Sequence, residues 1–219
     1  MFDRMRALSL KPKPGALAAE TRRNDRRQAE ILSGCCRVIA QQGYGKASIR
    51  RIAAEMGMSI SALYYWFASK EELLFAIQHN AFRELVERLE QKLVGVGDPE
   101  EKLRLLVGNH LEYFLDRLDE LTVCSHETNT LKGRAYQRVW EIRRRYYNIA
   151  LGIVREIQAG HGNAKLQASL ATLNLFGMLN WIHMWFNPKK DRSHRLVAQE
   201  IADLFLHGIG DPGRRGASS

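Results

Sequence analysis

Three observations predict an all-α fold for this chain. Apolar residues recur at three- and four-residue spacing along most of its length, and small polar residues stand where helices would begin. No segment alternates convincingly between apolar and polar residues, and no Asn-Gly or Asp-Gly hairpin dipeptide is present. The chain has 219 residues, which suits one large domain or a small module joined to a larger one. That length buries a substantial core without staples.

The elements follow in order. Residues 1–22 contain two prolines and several basic residues and read as a flexible basic arm. A first helix is expected over about 24–42, with Ile31, Cys35, Val38 and Ile39 on one face and Gly43 and Gly45 at its end. Ser48 caps a short helix over 49–56, closed by Gly57, and Ser59 caps a third over 60–66. Ser69-Lys70-Glu71-Glu72 is a capping box, in which Ser69 and Glu72 satisfy each other's exposed amides. It opens a long helix over 70–93, with Leu73, Ile77, Ala81, Leu85 and Leu89 inward. Asp98-Pro99-Glu100-Glu101 supplies a cap, a proline at the first helical position and acid in the first turn of a helix to about 119. A short helix near 121–127 and a long one over 133–159 follow. Asn163 caps a helix over 164–186, Asn187-Pro188 stops it, and a last helix spans 193–207. Residues 210–219 read as a disordered tail.

The net charge of +9 biases the chain toward nucleic acid or an anionic surface. Its placement is uneven: residues 1–75 hold thirteen Lys/Arg against seven Asp/Glu. Cys35, Cys36 and Cys124 show neither disulfide nor metal-ligand spacing, which fits a reducing cytoplasm with no metal and no cofactor. The N-terminus lacks the long apolar core of a secretory signal. Ser169–Phe186 contains no Asp, Glu, Lys or Arg, but Thr172, Asn174, Asn180 and His183 interrupt it. It reads as a helix buried on nearly all sides rather than a membrane span.

The helices at 49–56 and 60–66, joined at Gly57, form a helix-turn-helix, whose second helix lies in a major groove. This arrangement sorts four consecutive aromatics. Leu63 and Phe67, four residues apart, face the module's core; Tyr64 and Tyr65 project outward, where a phenol reaches phosphate and its ring rests on sugar. Packing against the first helix is the alternative for the two tyrosines, and packing is the favoured reading for Trp66. Ser59, Ile60 and Ser61 stand at the reading end of the helix, and Ile60 suits a thymine methyl. Arg22, Arg23, Arg26 and Arg27 track a minor groove or phosphates, or else form a solvated basic tail.

The segment GYGKASIRRIAAEMGMSISALYYWFASKEELL resembles the signature of the TetR-type one-component regulators. The likeness covers residues 28–75 and includes Gly43-Tyr44, Ile52-Ala53, Gly57, Ser59, Leu63-Tyr64, Phe67 and Ser69-Lys70-Glu71. It implies an all-helical homodimer with a three-helix DNA-binding domain, here 23–69, and a larger effector-binding and dimerisation domain, here 70–209. By that likeness Ser48, Tyr64 and Lys70 hold phosphates. Arg51 stands where the family often has an acid, so the capping box at Ser48 is lost and Arg51 becomes a further phosphate contact. Ile60 and Ser61 replace a frequent Lys and Gly, so no base preference transfers. The expected DNA contacts are Ser48, Arg50, Arg51, Ser59, Ile60, Ser61, Tyr64, Tyr65 and Lys70.

The body shows no GxSxG, HExxH or phosphate loop, and no enzyme is expected. His110 shares a face with Leu103, Leu106, Val107 and Phe114, and is either a satisfied core residue or an effector contact. On the helix at 133–159, Arg143 falls inside an apolar arc between Tyr146 and Tyr147. A buried guanidinium needs an anionic partner, either a carboxylate such as Glu127 or Glu112, or an acidic ligand. Effector contacts are expected at His110, Phe114, Arg143, Tyr147, Leu151 and Met178. Residues 135–209 resemble more weakly the bodies of TetR-type regulators of lipid, fatty-acid and steroid breakdown, which implies an acyl-CoA-like effector. Dimerisation is expected through 164–207. The reading is a ligand-released repressor of a palindromic operator. The rivals are a helical protein that keeps the fold without binding DNA, and a membrane-associated basic protein.

Overall fold

The computed structural model describes residues 14–160, 166–187 and 193–207. Among them, every regular element is helical: α1 (Pro14–Gln42), α2 (Ile49–Glu55), α3 (Ile60–Trp66), α4 (Lys70–Leu93), α5 (Pro99–Phe114), α6 (Leu118–His126), α7 (Gly133–Gly160), α8 (Ala168–Trp181) and α9 (His194–His207). A single 3-10 turn, Ile182–Met184, extends α8.

Where a cap was written in the chain, the boundary holds. Ser48, Ser59, Ser69 and Asp98 each accept a hydrogen bond from the backbone amide three residues on. Several boundaries differ, and α6 begins at Leu118 rather than near 121. α1 begins at Pro14, ten residues before its expected start, so residues 14–22 of the expected arm are helical. Proline suits a first helical position and the alanine-rich run after it propagates the helix. Residues 1–13 and 208–219, which include the predicted tail, lie outside the described residues. α5 ends at Phe114 rather than 119, because buried Leu115 is followed by Arg117 in a non-helical conformation that redirects the chain into α6. α8 begins at Ala168, and the expected cap Asn163 lies outside the described residues. The helix tightens after Trp181, where the His183 ring lies 2.6 Å from the Asn180 carbonyl that an α-helical ladder would offer to residue 184.

Two cores result. Ile31, Cys35, Val38 and Ile39 of α1 enclose Ile52, Ala53, Leu63 and Phe67, and α4 adds Leu73, Leu74 and Ile77. The body packs α4 against α7 and α5 against α9 around Leu85, Leu89, Leu106, Leu111, Phe114, Tyr146 and Leu179. The division is not clean. Val123, Leu131 and Val139 come from the body's sequence but pack in the N-terminal core. All three cysteines are buried free thiols, and burial pushes Cys35 up to about 12 and the other two higher, which leaves them unreactive.

Candidate functional site

The first candidate surface is the helix-turn-helix. Gly57 has φ of +62°, a left-handed turn that a side chain would strain, and this turn sets α3 across α2. Leu63 and Phe67 are buried, which fixes the rotation of α3. Tyr64 and Tyr65 are consequently 48% and 82% exposed, so the two phenols are not core residues. Trp66 is half-buried against the N-terminal core, with Tyr65 edge-on to it at 5.4 Å. Ser48, Arg50, Arg51, Ser59, Ile60 and Ser61 are also exposed. Ser48 still caps α2, accepting from the Arg51 amide at 3.2 Å. Ser59 Oγ lies 3.1 Å from Ser61 Oγ and accepts from the Ala62 amide at 3.0 Å.

Lys70 stands apart from this group. It is half-buried, donates to the Tyr44 carbonyl and lies 4.0 Å from the centre of the Tyr44 ring. Burial lowers its pKa, and the nearby Glu127 carboxylate opposes that. Its ammonium therefore braces the α1–α2 loop. Arg22, Arg23, Arg26 and Arg27, expected on a flexible arm, are exposed on α1, where Glu30 pairs with Arg26 at 3.3 Å and Arg27 at 3.4 Å.

The second candidate is a cavity of about 860 Å³ within the body, walled by α4, α5, α6, α7 and α8. His110, Phe114, Arg143 and Tyr147 line it as expected. Leu151 and Met178 do not. Leu151 lies one turn, about 6 Å, further along α7 than Tyr147. Met178 is about 200° round α8 from Phe176 and packs toward the core, whereas Leu173, Phe176 and Asn180 line the cavity. Sequence reasoning missed Gln78, Phe82, Tyr136 and Phe176. Gln78 had a signal: it is a polar residue within the apolar stripe of α4.

Arg143 carries the cavity's charge. It is half-buried, its guanidinium lies 5.2 Å from the centre of the Phe82 ring, and burial lowers its pKa. Neither expected carboxylate meets it. Glu112 takes Lys92 at 2.5 Å, and Glu127 takes the Tyr44 amide at 3.2 Å and the Thr130 hydroxyl at 2.6 Å. Among the described residues Arg143 forms no ion pair. Arg144 stacks on exposed Trp140, also lining the cavity, at 5.0 Å. A second crevice of about 900 Å³, beside α1, is lined by charges of both signs, including Arg37, Arg83, Arg117, Asp116 and Asp119.

The cavity and the helix-turn-helix share parts. Leu131 and Val139 line the cavity and belong to the N-terminal core. Gln78 Nε2 donates to the Glu127 carbonyl at 2.8 Å, and the Glu127 carboxylate holds the Tyr44 amide, in the loop that Lys70 braces.

Comparison with known proteins gives two family matches. Residues 31–77 match the family described as bacterial regulatory proteins, tetR family, and residues 96–209 match the tetracyclin repressor-like C-terminal domain. The chain belongs to the TetR family. It is 27% identical over 184 residues to the fatty acid metabolism regulator protein of Bacillus subtilis, covering 82% of this chain and 94% of that one. The solved structure of the TetR-family regulator PfmR from Thermus thermophilus matches with a TM-score of 0.73 at 29% identity, covering 82% and 98% of the two chains. AibR, solved in complex with isovaleryl coenzyme A and operator DNA, shares the fold with a TM-score of 0.72 at 23% identity, over 82% and 98%. As a TetR-family member the chain is a ligand-responsive DNA-binding transcriptional regulator. Among the described residues no helix, including the one at 168–181, is long and apolar enough to cross a membrane.

Proposed function

We propose that this TetR-family regulator is a homodimeric repressor whose operator binding is released by an acyl-CoA-like thioester. The observation that carries the effector class is Arg143, a guanidinium without an ion-pair partner among the described residues, on the wall of a largely apolar cavity. An acyl chain fills such a chamber, and a thioester's pantetheine and phosphates supply the anion and extend past Arg144 and Trp140. The relatives fit this reading: one regulates fatty acid metabolism and another was solved with isovaleryl coenzyme A.

DNA contact falls to the exposed set Ser48, Arg50, Arg51, Ser59, Ile60, Ser61, Tyr64 and Tyr65, with Lys70 holding the loop beside them. Dimerisation falls to the outer side of α8 and its surroundings. Leu170, Leu173 and Trp181 of α8 are each more than half exposed, as are Leu166 just before the helix and Trp185 just after it. Paired across a two-fold axis, the two α3 helices address successive major grooves. Ligand that favours one spacing shifts the population by its differential affinity. The Gln78–Glu127–Tyr44 hydrogen bonds and the shared wall of Leu131 and Val139 carry that preference to the reading helices.

The test is fluorescence anisotropy on DNA upstream of the regulator's own gene, at fixed salt with random competitor, followed by titration with acyl-CoA thioesters and their free acids. Selective binding, reversed by a thioester and resistant to it in Arg143→Ala, is the expected result. Selective binding that no thioester reverses removes the effector assignment and leaves the regulator.

A further inference from the structure

Two buried side chains on the cavity wall each keep one polar atom without a partner among the described residues. His110 is fully buried between Phe114, Tyr146 and Phe176, with ring-centre distances of 4.9, 6.0 and 6.3 Å, and it lines the cavity. Burial pushes its pKa down to about 3, so the ring is neutral and carries one proton. Its Nδ1 lies 3.3 Å from the Tyr146 hydroxyl. Among the described residues the Tyr146 hydroxyl has no other acceptor, since the Asn109 amide donates to the Leu85 carbonyl, so the hydroxyl proton goes to His110 Nδ1. The imidazole proton then sits on Nε2, and Nε2 has no hydrogen-bond partner. Gln78, on the same cavity wall, adds the opposite sense: its Nε2 is used by the Glu127 carbonyl, and its Oε1 acceptor has no partner.

Buried polar groups are nearly always satisfied, and orphans mark a ligand or a cost. A saturated hydrocarbon chain in this cavity offers nothing to either group. We infer that the effector carries an oxygen function, an oxo or hydroxyl group, within its apolar part, and that this oxygen accepts from His110 Nε2. A hydroxyl also donates to Gln78 Oε1, whose amide nitrogen holds the Glu127 carbonyl. This rests on the thioester reading above and narrows it: Arg143 takes the charged portion, and His110 selects among the bodies attached to it.

The experiment uses the full-length protein and ten-carbon acyl-CoA probes. Decanoyl-CoA is compared with decanoyl-CoA bearing a hydroxyl or an oxo group at successive carbons, with the matching free acids alongside. Affinity is read by calorimetry and by release of labelled operator. One oxygenated position is expected to bind roughly five- to tenfold tighter than the saturated chain, the size of one buried neutral hydrogen bond. His110→Phe, which keeps an aromatic ring, should erase that preference, bringing the oxygenated and saturated probes to the same affinity. His110→Gln, which returns a donor near Nε2, should restore part of it and provides the second variant if the first fails to fold. Saturated probes that bind as well as every oxygenated one overturn the inference and leave the thioester reading intact. A preference that survives in His110→Phe overturns it as well. If no thioester or acid binds, the thioester reading falls and takes this inference with it.

Discussion

The N-terminal module and the body are both helical, but they treat buried polar groups differently. Around the helix-turn-helix the caps are made, Ser69 accepts from the Glu72 amide, the Glu72 carboxylate reaches back one residue past the expected Ser69 amide to that of Ala68, and the buried residues of α2 and α3 are all apolar. Among the described residues the body buries Gln78, Asn109 and His110, each with one polar atom unpartnered, whereas the module leaves only Gln42 Oε1 at the end of α1. The first arrangement holds a fixed shape to present to a rigid duplex. The second stores unmet hydrogen-bonding capacity around a cavity, as a chamber built to be filled does. Stability and responsiveness are thus placed in different cores of one chain, joined at Leu131, Val139 and Glu127.

Substitutions in the two cores separate these roles. Phe67→Ala should have the largest effect, destabilising by about 3–5 kcal/mol because a fully buried ring leaves a cavity. Urea unfolding reads the loss, and operator binding should disappear with it while residual structure is sought in the body. Next comes acid sensitivity. His110 has its folded pKa depressed to about 3, below the ordinary value of 6.5, so the folded state binds fewer protons. Its stability contribution is complete above pH 6.5 and is lost as pH falls toward 3. By pH 5 the loss is about 2 kcal/mol. His110→Phe should therefore show a flatter dependence of Tm on pH between 6.5 and 4 than the unaltered protein. An unchanged slope would assign the acid sensitivity to other groups.

The joint between the cores is expected to give smaller effects. Glu127→Ala releases the Tyr44 amide and should cost about 1 kcal/mol. If the joint transmits the ligand's signal, anisotropy will show weaker operator binding and a reduced further response to thioester. If it is only structural, Tm will fall and the response will be unchanged. The smallest effects are at the caps. Ser59→Ala and Asp98→Ala each remove one cap bond, of 3.0 Å in both cases, and should each cost about 1 kcal/mol. Only Ser59→Ala should also weaken operator binding, because Asp98 stands at the start of α5 in the body.

Much of the first module was legible before any coordinates. Its helices at 49–56, 60–66 and 70–93 were expected within one residue of their ends, and the outward rotation of Tyr64 and Tyr65 followed from the spacing of Leu63 and Phe67. Caps, glycine turns and i, i+4 pairs act within one or two turns, so neighbouring residues suffice to specify them. The break between α5 and α6 carries no Gly or Pro, and the early start of α1 was masked by the basic residues around it.

Sequence alone thus determined the helical class, the helix-turn-helix and the charge it presents. Tertiary structure decided who meets whom. It sent Glu127 to Tyr44, 83 residues away, and not to Arg143; it put Gln78 and Phe176 on the cavity wall and left out Leu151 and Met178. The reason is physical. A helix's ends and faces are set by interactions a few residues long, whereas a cavity is the space several helices leave when their faces pack, and no single face records it.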